Sequence, residues 1–233
     1  MRENKSPLTV SQALKAYTGK GIVLFAAQLV WLEMSFFVAA SVVLILMIMT
    51  GDGISYQEAA ESVSDIPMID FFMALSISLL NSLMLLTQYR KSVPGGKLFR
   101  TMKGGFGTFA GYYKGICIAE MLAAAADCCV FLLLDTFGIV RLHGGASAVI
   151  AAFVSLTVAS GAVPLVSMSE NDAFRALMSI VLPVGITAAG TLLLPTLGMG
   201  FIPHIITGVA GTVFLIVSAR AYLSYYKKNL WKN

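Results

Sequence analysis

Apolar residues fall in long blocks along this chain, and most ionisable residues lie between the blocks. Six blocks approach or exceed the roughly 20 residues that an α-helix needs to cross a bilayer. Charged side chains are costly in hydrocarbon, so they mark the block ends. The pattern predicts an all-α, polytopic membrane protein with six transmembrane helices, at Gly21–Thr50, Phe71–Tyr89, Gly115–Leu134, Ala146–Met168, Ala176–Leu197 and Ile202–Tyr222.

The composition agrees with this class of protein. Hydrophobic residues make up 58% of the 233 residues and charged residues only 12%, whereas soluble domains carry roughly 25% charged residues. No segment is long and polar enough for a second, soluble domain, so we expect a single membrane domain over residues 1–233. The first twenty residues lack an apolar stretch followed by a cleavage site, which predicts that no signal peptide is removed.

The cysteines and histidines predict neither a disulfide framework nor a metal site. Cys117, Cys128 and Cys129 lie inside one apolar block, where they are expected to pack as small residues. The two histidines, His143 and His204, are far apart in sequence, whereas a zinc site needs several ligands close together. We therefore expect no metal and no cofactor.

The positive charges predict the orientation of the spans. The N-terminal segment, the loop after the second span, the loop before the fifth span and the C-terminal end hold fifteen of the sixteen Lys and Arg residues. The loop between the first two spans is acidic, with Asp52, Glu58, Glu61, Asp65 and Asp70. Because cytoplasmic loops are enriched in Lys and Arg, both termini are predicted to be cytoplasmic, in a multi-pass protein of the cell membrane. Anionic membrane lipid accounts for the net charge of +4, and nucleic acid is not an expected partner.

Residues 6–20 are predicted to form a short amphipathic helix. Ser6 suits the cap, Pro7 the first turn and Gly19 the end. Apolar residues recur at the spacing of one helical face, at Val10, Ala13, Leu14 and Tyr17. Such a helix is expected to lie along the inner membrane surface, and a frayed polar tail is the alternative.

The loop at residues 90–114 combines six basic residues with several large apolar ones. Pro94-Gly95-Gly96 and Gly104-Gly105 are turn signals. Between them, Lys97–Lys103 can form two helical turns with one apolar face, made by Leu98, Phe99 and Met102. Such an element can dock on the membrane or on a partner protein. A loop that only binds lipid headgroups is the alternative.

At these residues the chain resembles the permease of a type-2 ABC exporter, the six-span kind whose ATPase is a separate subunit. That family has an amphipathic connecting helix before the first span, and the chain has residues 6–20 there. The family's coupling helix between the second and third spans is similar to Leu98-Phe99-Arg100-Thr101, and the Lys that opens its third span is similar to Lys114. One departure is the proline-containing turn, which commonly follows the coupling helix in the family, whereas Pro94 precedes it here.

The resemblance implies the membrane-spanning permease subunit of an ABC exporter, with ATP hydrolysed by a separate cytoplasmic ATPase subunit. It implies that the permease pairs with a second copy or with a sister chain. The pairing of apolar and basic side chains on this short element predicts that Leu98–Lys103 inserts into a groove on the ATPase, with Phe99 as its aromatic anchor. The coupling residues are then Leu98, Phe99, Arg100, Thr101, Met102 and Lys114.

The chain lacks the glycine-rich P-loop pattern of ATP-hydrolysing proteins. Its nearest match, Gly96-Lys97, is followed by Leu98 and has Lys91 in place of the first glycine. We therefore expect that the chain itself is not an enzyme and that any ATPase comes from another chain.

Four polar residues lie inside predicted spans, namely Glu33, Asn81, Glu120 and Asp127. Glu120 and Asp127 are seven residues apart and share a helical face, which predicts a transport path or proton route. Other interpretations remain open. Glu120 could reach cytoplasmic cations, Asp127 could be protonated and hydrogen-bonded across a helix interface, Glu33 could sit at the membrane interface beside Trp31, and Asn81 could join two helices.

Two other classes of protein remain open. The first is a membrane protein unrelated to ABC exporters, such as a small-solute carrier, a vitamin-transporter substrate subunit or an assembly factor. The second is a rhomboid-like intramembrane serine protease, since Ser147 and His204 occur in the order of a Ser–His dyad. The second span lacks a rhomboid-like His, and Ser147 is followed by Ala, which argues against the protease.

Overall fold

A computed structural model describes residues 7–64, 99–142, 171–189 and 201–231, together with isolated positions between 149 and 169. The described residues form helices and turns, without β-strands. The helices are α1 (Val10–Thr18), α2 (Ile22–Asp52), α3 (Tyr56–Ser64), α4 (Phe106–Thr136), α5 (Asp172–Ala188) and α6 (Phe201–Tyr225). A π-helical turn, Tyr226–Leu230, continues α6.

Three of the described helical segments are long and apolar enough to cross a membrane. They are Ile22–Asp52, Phe106–Thr136 and Gly208–Asn229, with mean hydropathies of 2.4, 2.2 and 1.3 over their best windows. A shorter apolar segment, Ala173–Ile186, lies in α5. The all-α membrane class is therefore confirmed for the described residues. The number six stays a prediction, because the predicted second span lies outside the described residues and the fourth is described only at isolated positions.

The predicted first span agrees with α2 to within two residues at each end. Gly53 ends this helix with a φ of 64°, a left-handed conformation that glycine adopts without steric cost. The buried side chains of α2 include one at every fourth position, at Phe25, Leu29, Glu33 and Phe37. Residues four apart lie on one helical face, so these four side chains form a ridge.

The predicted third span, Gly115–Leu134, lies inside α4, which begins nine residues earlier than predicted. Gly104 and Gly105 both have a positive φ and turn the chain just before Phe106. At about 1.5 Å per residue, a helix of 31 residues exceeds the roughly 30 Å hydrocarbon core. The first turns of α4 therefore extend beyond the apolar span, and part of the predicted 90–114 loop is helical.

Small residues recur every fourth position along α4 and form a groove that leads to a buried acid. They are Gly107, Gly111, Gly115, Ala119 and Ala123, and Asp127 follows at the same spacing. A Cβ atom on Gly111 would lie 3.4 Å from the Cβ of Ala13, and one on Gly115 would lie 3.2 Å from the Cβ of Leu14. The groove thus admits α1 at backbone distance.

The predicted N-terminal helix is confirmed, but its start differs from the prediction. α1 begins at Val10, not at residue 6, because Thr9 and Gln12 form a capping box. Gly19 ends the helix in the left-handed conformation, as predicted. Ala13 and Leu14 are fully buried, and they face the glycines of α4. The apolar stripe is therefore covered by protein, and the location of α1 relative to the membrane surface stays a prediction.

α2 and α4 run in the same direction along each other. Glu33 interacts with Asp127, and one turn further along both helices the rings of Phe37 and Phe131 pack edge to face, with centroids 4.8 Å apart. At one end of the pair lie α1 and residues 99–105, which we call the α1 end. At the other end α3 packs on the two helices through Ala59 and Val63, and we call this the α3 end.

Ser64 therefore lies at the α3 end and Phe99 at the α1 end. Residues 65–98, which join these two positions, lie outside the described residues. The predicted second span, Phe71–Tyr89, falls in this interval.

Candidate coupling surface and buried carboxyl pair

An aromatic cluster lies at the α1 end and is centred on Phe99. Its ring is 1% exposed. The centroid of the Phe99 ring lies 5.0 Å from that of Tyr112, 5.6 Å from that of Phe109 and 5.6 Å from that of Tyr17. These are ordinary separations for packed aromatic rings. The cluster thus joins α1, the turn at residues 99–105 and the start of α4.

The C-terminal residues complete the same cluster. Tyr226 stacks on Phe109 at a centroid distance of 4.7 Å, and Trp231 packs edge to face on Phe106 at 5.4 Å. The guanidinium carbon of Arg100 lies 5.7 Å from the centre of the Trp231 ring, which is cation–π geometry. The N-terminal helix, the turn and the C-terminal end therefore meet at one end of the molecule.

Hydrogen bonds and a close backbone contact fix the turn in place. The Thr108 hydroxyl donates to the Lys103 carbonyl and accepts from the Leu8 amide. A Cβ atom on Gly104 would lie 2.3 Å from the Cα of Pro7, so only glycine fits where the N-terminal segment crosses the turn. The turn is held between the N-terminal segment and α4.

The predicted coupling residues differ in exposure, and the aromatic one, Phe99, is not at the surface. Arg100, Thr101 and Lys114 are exposed, and Met102 is half-buried against the aromatic cluster. Phe99 is buried by residues of this chain, whereas insertion into a partner's groove requires an exposed ring. Leu98 lies outside the described residues. The coupling role of this element stays a prediction, and its accessible side chains are the polar ones.

A pair of acidic side chains lies between α2 and α4. Glu33 and Asp127 are both 0% exposed, and their carboxyl groups interact. Neither oxygen of Asp127 reaches ordinary hydrogen-bond geometry with the described residues. Phe37 and Phe131 cover the pair on the α3 side. Because water is excluded, the energetic cost of charge on either group is high.

The Glu33 side chain is buried between α2 and α4. Trp31, two residues earlier, is 74% exposed. The depth of Glu33 in the membrane, and with it the position at the membrane interface beside Trp31, stays a prediction. The sequence indicates that Glu33 is on a buried face, because Glu33 follows Phe25 and Leu29 at intervals of four residues and so lies on the same helical ridge. Sequence reasoning located the two acids separately but missed that they face each other.

Glu120 lies on the buried face of α4, as Asp127 does, so the shared face predicted for these residues is confirmed. It is 1% exposed, and its Oε1 atom has no hydrogen-bond partner among the described residues. A position reaching out to cytoplasmic cations does not fit this burial. Its part in a transport path stays a prediction.

Other candidate residues give no site in the described part of the chain. Ser147 and Asn81 lie outside it, and the side chain of His204 is not described, so the protease dyad is not tested. Cys128 is buried, and its sulfur lies 3.7 Å from the carbonyl oxygen of Val149, which fits a packing role. No group of three metal-ligating side chains occurs among the described residues.

Comparisons with protein-family models, with curated proteins and with solved structures find no match to this chain.

Proposed function

We propose that this chain is the membrane-spanning permease subunit of an ABC exporter and that a separate cytoplasmic subunit hydrolyses the ATP. The observation that carries the proposal is the exposed turn at Arg100–Lys103, which rests through Phe99 on the aromatic cluster. Its polar surface offers a partner a basic contact, and its buried side packs on α1 and α4. A partner that moves the turn therefore moves both helices.

α4 connects this surface mechanically to the buried acids. It is one continuous helix from Phe106 to Thr136 and carries Tyr112, which touches Phe99, as well as Glu120 and Asp127. Packed helices respond to a partner by rigid shifts between discrete arrangements and not by local deformation. A shift imposed at the α1 end is thus transmitted to the carboxyl pair.

The arrangement of the ends agrees with an even number of spans, as the proposed six-span topology has. The N-terminal helix and the C-terminal residue Trp231 lie at the same end, as an even number of crossings requires. Ser64 and Phe99 lie at opposite ends of the α2–α4 pair, which agrees with the predicted second span between them. Arg175, which the positive-inside rule also assigns to the cytoplasm, is close enough to Tyr222 for the two to interact electrostatically.

The test is copurification of the chain with the ATPase encoded nearest to its gene. Arg100→Glu reverses a charge on the exposed turn, and Lys228→Glu makes the same change at an exposed position of the C-terminal end. Arg100→Glu should reduce recovery of the ATPase about tenfold, with a weaker effect at high salt. Lys228→Glu should leave recovery near the wild-type amount.

Equal recovery of the ATPase with Arg100→Glu and the wild type would remove this turn as the coupling element. The purified chain by itself should show no ATPase activity, since it lacks a P-loop.

A proton-driven small-solute carrier is the second candidate function, and the buried pair of Glu33 and Asp127 favours it. Carriers use such intramembrane acids to bind protons. The two functions differ in their energy source. Uptake or efflux by the lone chain in vesicles under a pH gradient, without ATP, would support the carrier and exclude a strict need for an ATPase.

A further inference from the structure

The pair of Glu33 and Asp127 occupies matching positions on two complementary ridges. The α2 ridge is Phe25, Leu29, Glu33 and Phe37, and the α4 ridge is Ala119, Ala123, Asp127 and Phe131. On the α1 side of the pair, large residues of α2 lie against small residues of α4. On the α3 side, Phe37 and Phe131 pack on each other. The two acids thus replace an apolar contact in an otherwise close-packed helix interface.

Two carboxylates cannot both be charged in such a place without a large energetic cost. Like charges in contact repel, and burial removes the water that would stabilise either ion. A single proton removes most of this cost, because a carboxylic acid can donate to a carboxylate. The interface is therefore stable when the pair holds a proton.

Among the described residues, Asp127 interacts with Glu33 and lies within electrostatic range of the Cys128 thiol. The Cys128 thiol is also within electrostatic range of Glu33 and Cys129, and Glu120 is two turns from Asp127 along α4. The other described helices carry Lys15 and Tyr17 (α1), Glu58 and Glu61 (α3), Arg175 (α5), and Arg220 and Tyr222 (α6). Of these, Arg175 and Tyr222 are buried, Tyr17 is half-buried and the others are exposed.

We propose that Glu33 and Asp127 form a proton-binding site that fastens α2 to α4. With one shared proton, the two side chains hold the helices together. When the proton leaves, two facing carboxylates repel and the helices separate at this level. Both oxygens of Asp127 are shielded from solvent and directed into this interface without a hydrogen bond of ordinary geometry to the described residues, which is where a shared proton would act.

The experiment measures protonated carboxyl groups directly. Dicyclohexylcarbodiimide reacts with protonated acids in apolar surroundings, and mass spectrometry of the purified full-length chain locates the adduct. We expect labelling at Asp127 or Glu33 that declines as the pH rises. In Glu33→Gln the neighbouring charge is gone, so Asp127 should lose its proton more easily, and its labelling should decline at a pH lower by about one unit or more.

Glu120→Gln is the matched control, because it removes another buried acid of α4 that is not part of the pair. It should leave the pH profile of Asp127 unchanged. No labelling of either acid at any pH, or the same profile in Glu33→Gln and the wild type, would overturn the proposal.

A second measurement applies if Glu33→Gln does not fold. In Asp127→Asn the labelling of Glu33 should shift to lower pH in the same way, and the fall of melting temperature at high pH should be smaller than in the wild type. An unchanged melting profile together with an unshifted Glu33 profile would contradict the shared proton. No ATPase or transported substrate enters either measurement, so the result is independent of ATPase coupling.

Discussion

The ring of Tyr17 on α1 lies 5.6 Å from the ring of Phe99 and 4.9 Å from the ring of Tyr112 on α4. This contact places α1, the turn at residues 99–105 and α4 within one aromatic cluster. The polar and basic segments at the α1 end are therefore parts of one packed unit. Substitutions in that unit are expected to act through folding as well as through any partner.

Phe99→Ala is predicted to destabilise the chain itself. Removing a fully buried phenylalanine side chain leaves a cavity and typically costs about 3 kcal/mol or more of unfolding free energy. The melting temperature in detergent should fall clearly. Phe174→Ala is the matched control, since the Phe174 side chain is 45% exposed and its loss should change the melting temperature little. A Phe99→Ala protein as stable as the control would contradict the packing described here.

Gly111→Leu is predicted to release α1 from α4. The glycine brings the two helices to backbone distance, and a leucine side chain there would overlap Ala13, at a cost of about 1–3 kcal/mol. A cysteine introduced as Ala13→Cys should become roughly tenfold more reactive to a soluble maleimide in this background.

Gly51→Leu is the control for this substitution, because no atom lies within 4 Å of a Cβ placed at Gly51. It should leave the reactivity of the residue-13 cysteine as in the parent. Equal protection in both backgrounds would show that α1 does not depend on the glycine groove.

The start of α3 is predicted to loosen in acid. The Ser55 amide and hydroxyl donate to the Glu58 carboxylate at 2.9 and 2.8 Å, and these hydrogen bonds lower the pKa of Glu58. Because the pKa is lowered in the folded state, the stabilisation is present above the ordinary glutamate pKa and is lost as the pH falls through the lowered value.

Hydrogen exchange of the α3 amides should therefore accelerate in acid beyond the intrinsic pH effect, and Glu58→Gln should abolish this excess. Glu61→Gln, at another exposed position of α3, should retain it. An excess that survives in Glu58→Gln would assign the effect to another group.

Reporter fusions test the predicted topology. A fusion after Tyr89 and one at the C-terminus should report the cytoplasm, and one near Gln57 should report the outside. These outcomes follow from the positive-inside rule and from the contact of the N- and C-terminal segments at one end of the molecule. An external C-terminus would leave an odd number of spans and contradict the permease proposal.

The sequence by itself determined the membrane class, the position of α2 and the existence of α1 and of the turn at Gly104-Gly105. These features depend on local chemistry. Long apolar blocks partition into lipid, glycine adopts a left-handed backbone, and a repeat of apolar residues at helical spacing marks one face. The burial of Asp127 and Glu120 on one face followed from the same periodicity.

Only the tertiary structure decided what those faces touch. Periodicity places Leu14 and Phe99 on apolar faces, but it does not distinguish lipid or a partner from another part of the same chain. α1 packs into the glycine groove of α4, and Phe99 packs within the aromatic cluster. The pairing of Glu33 with Asp127, 94 positions apart, depends on the register between α2 and α4. That register is set by large residues of one ridge packing against small residues of the other, which neither helix specifies alone.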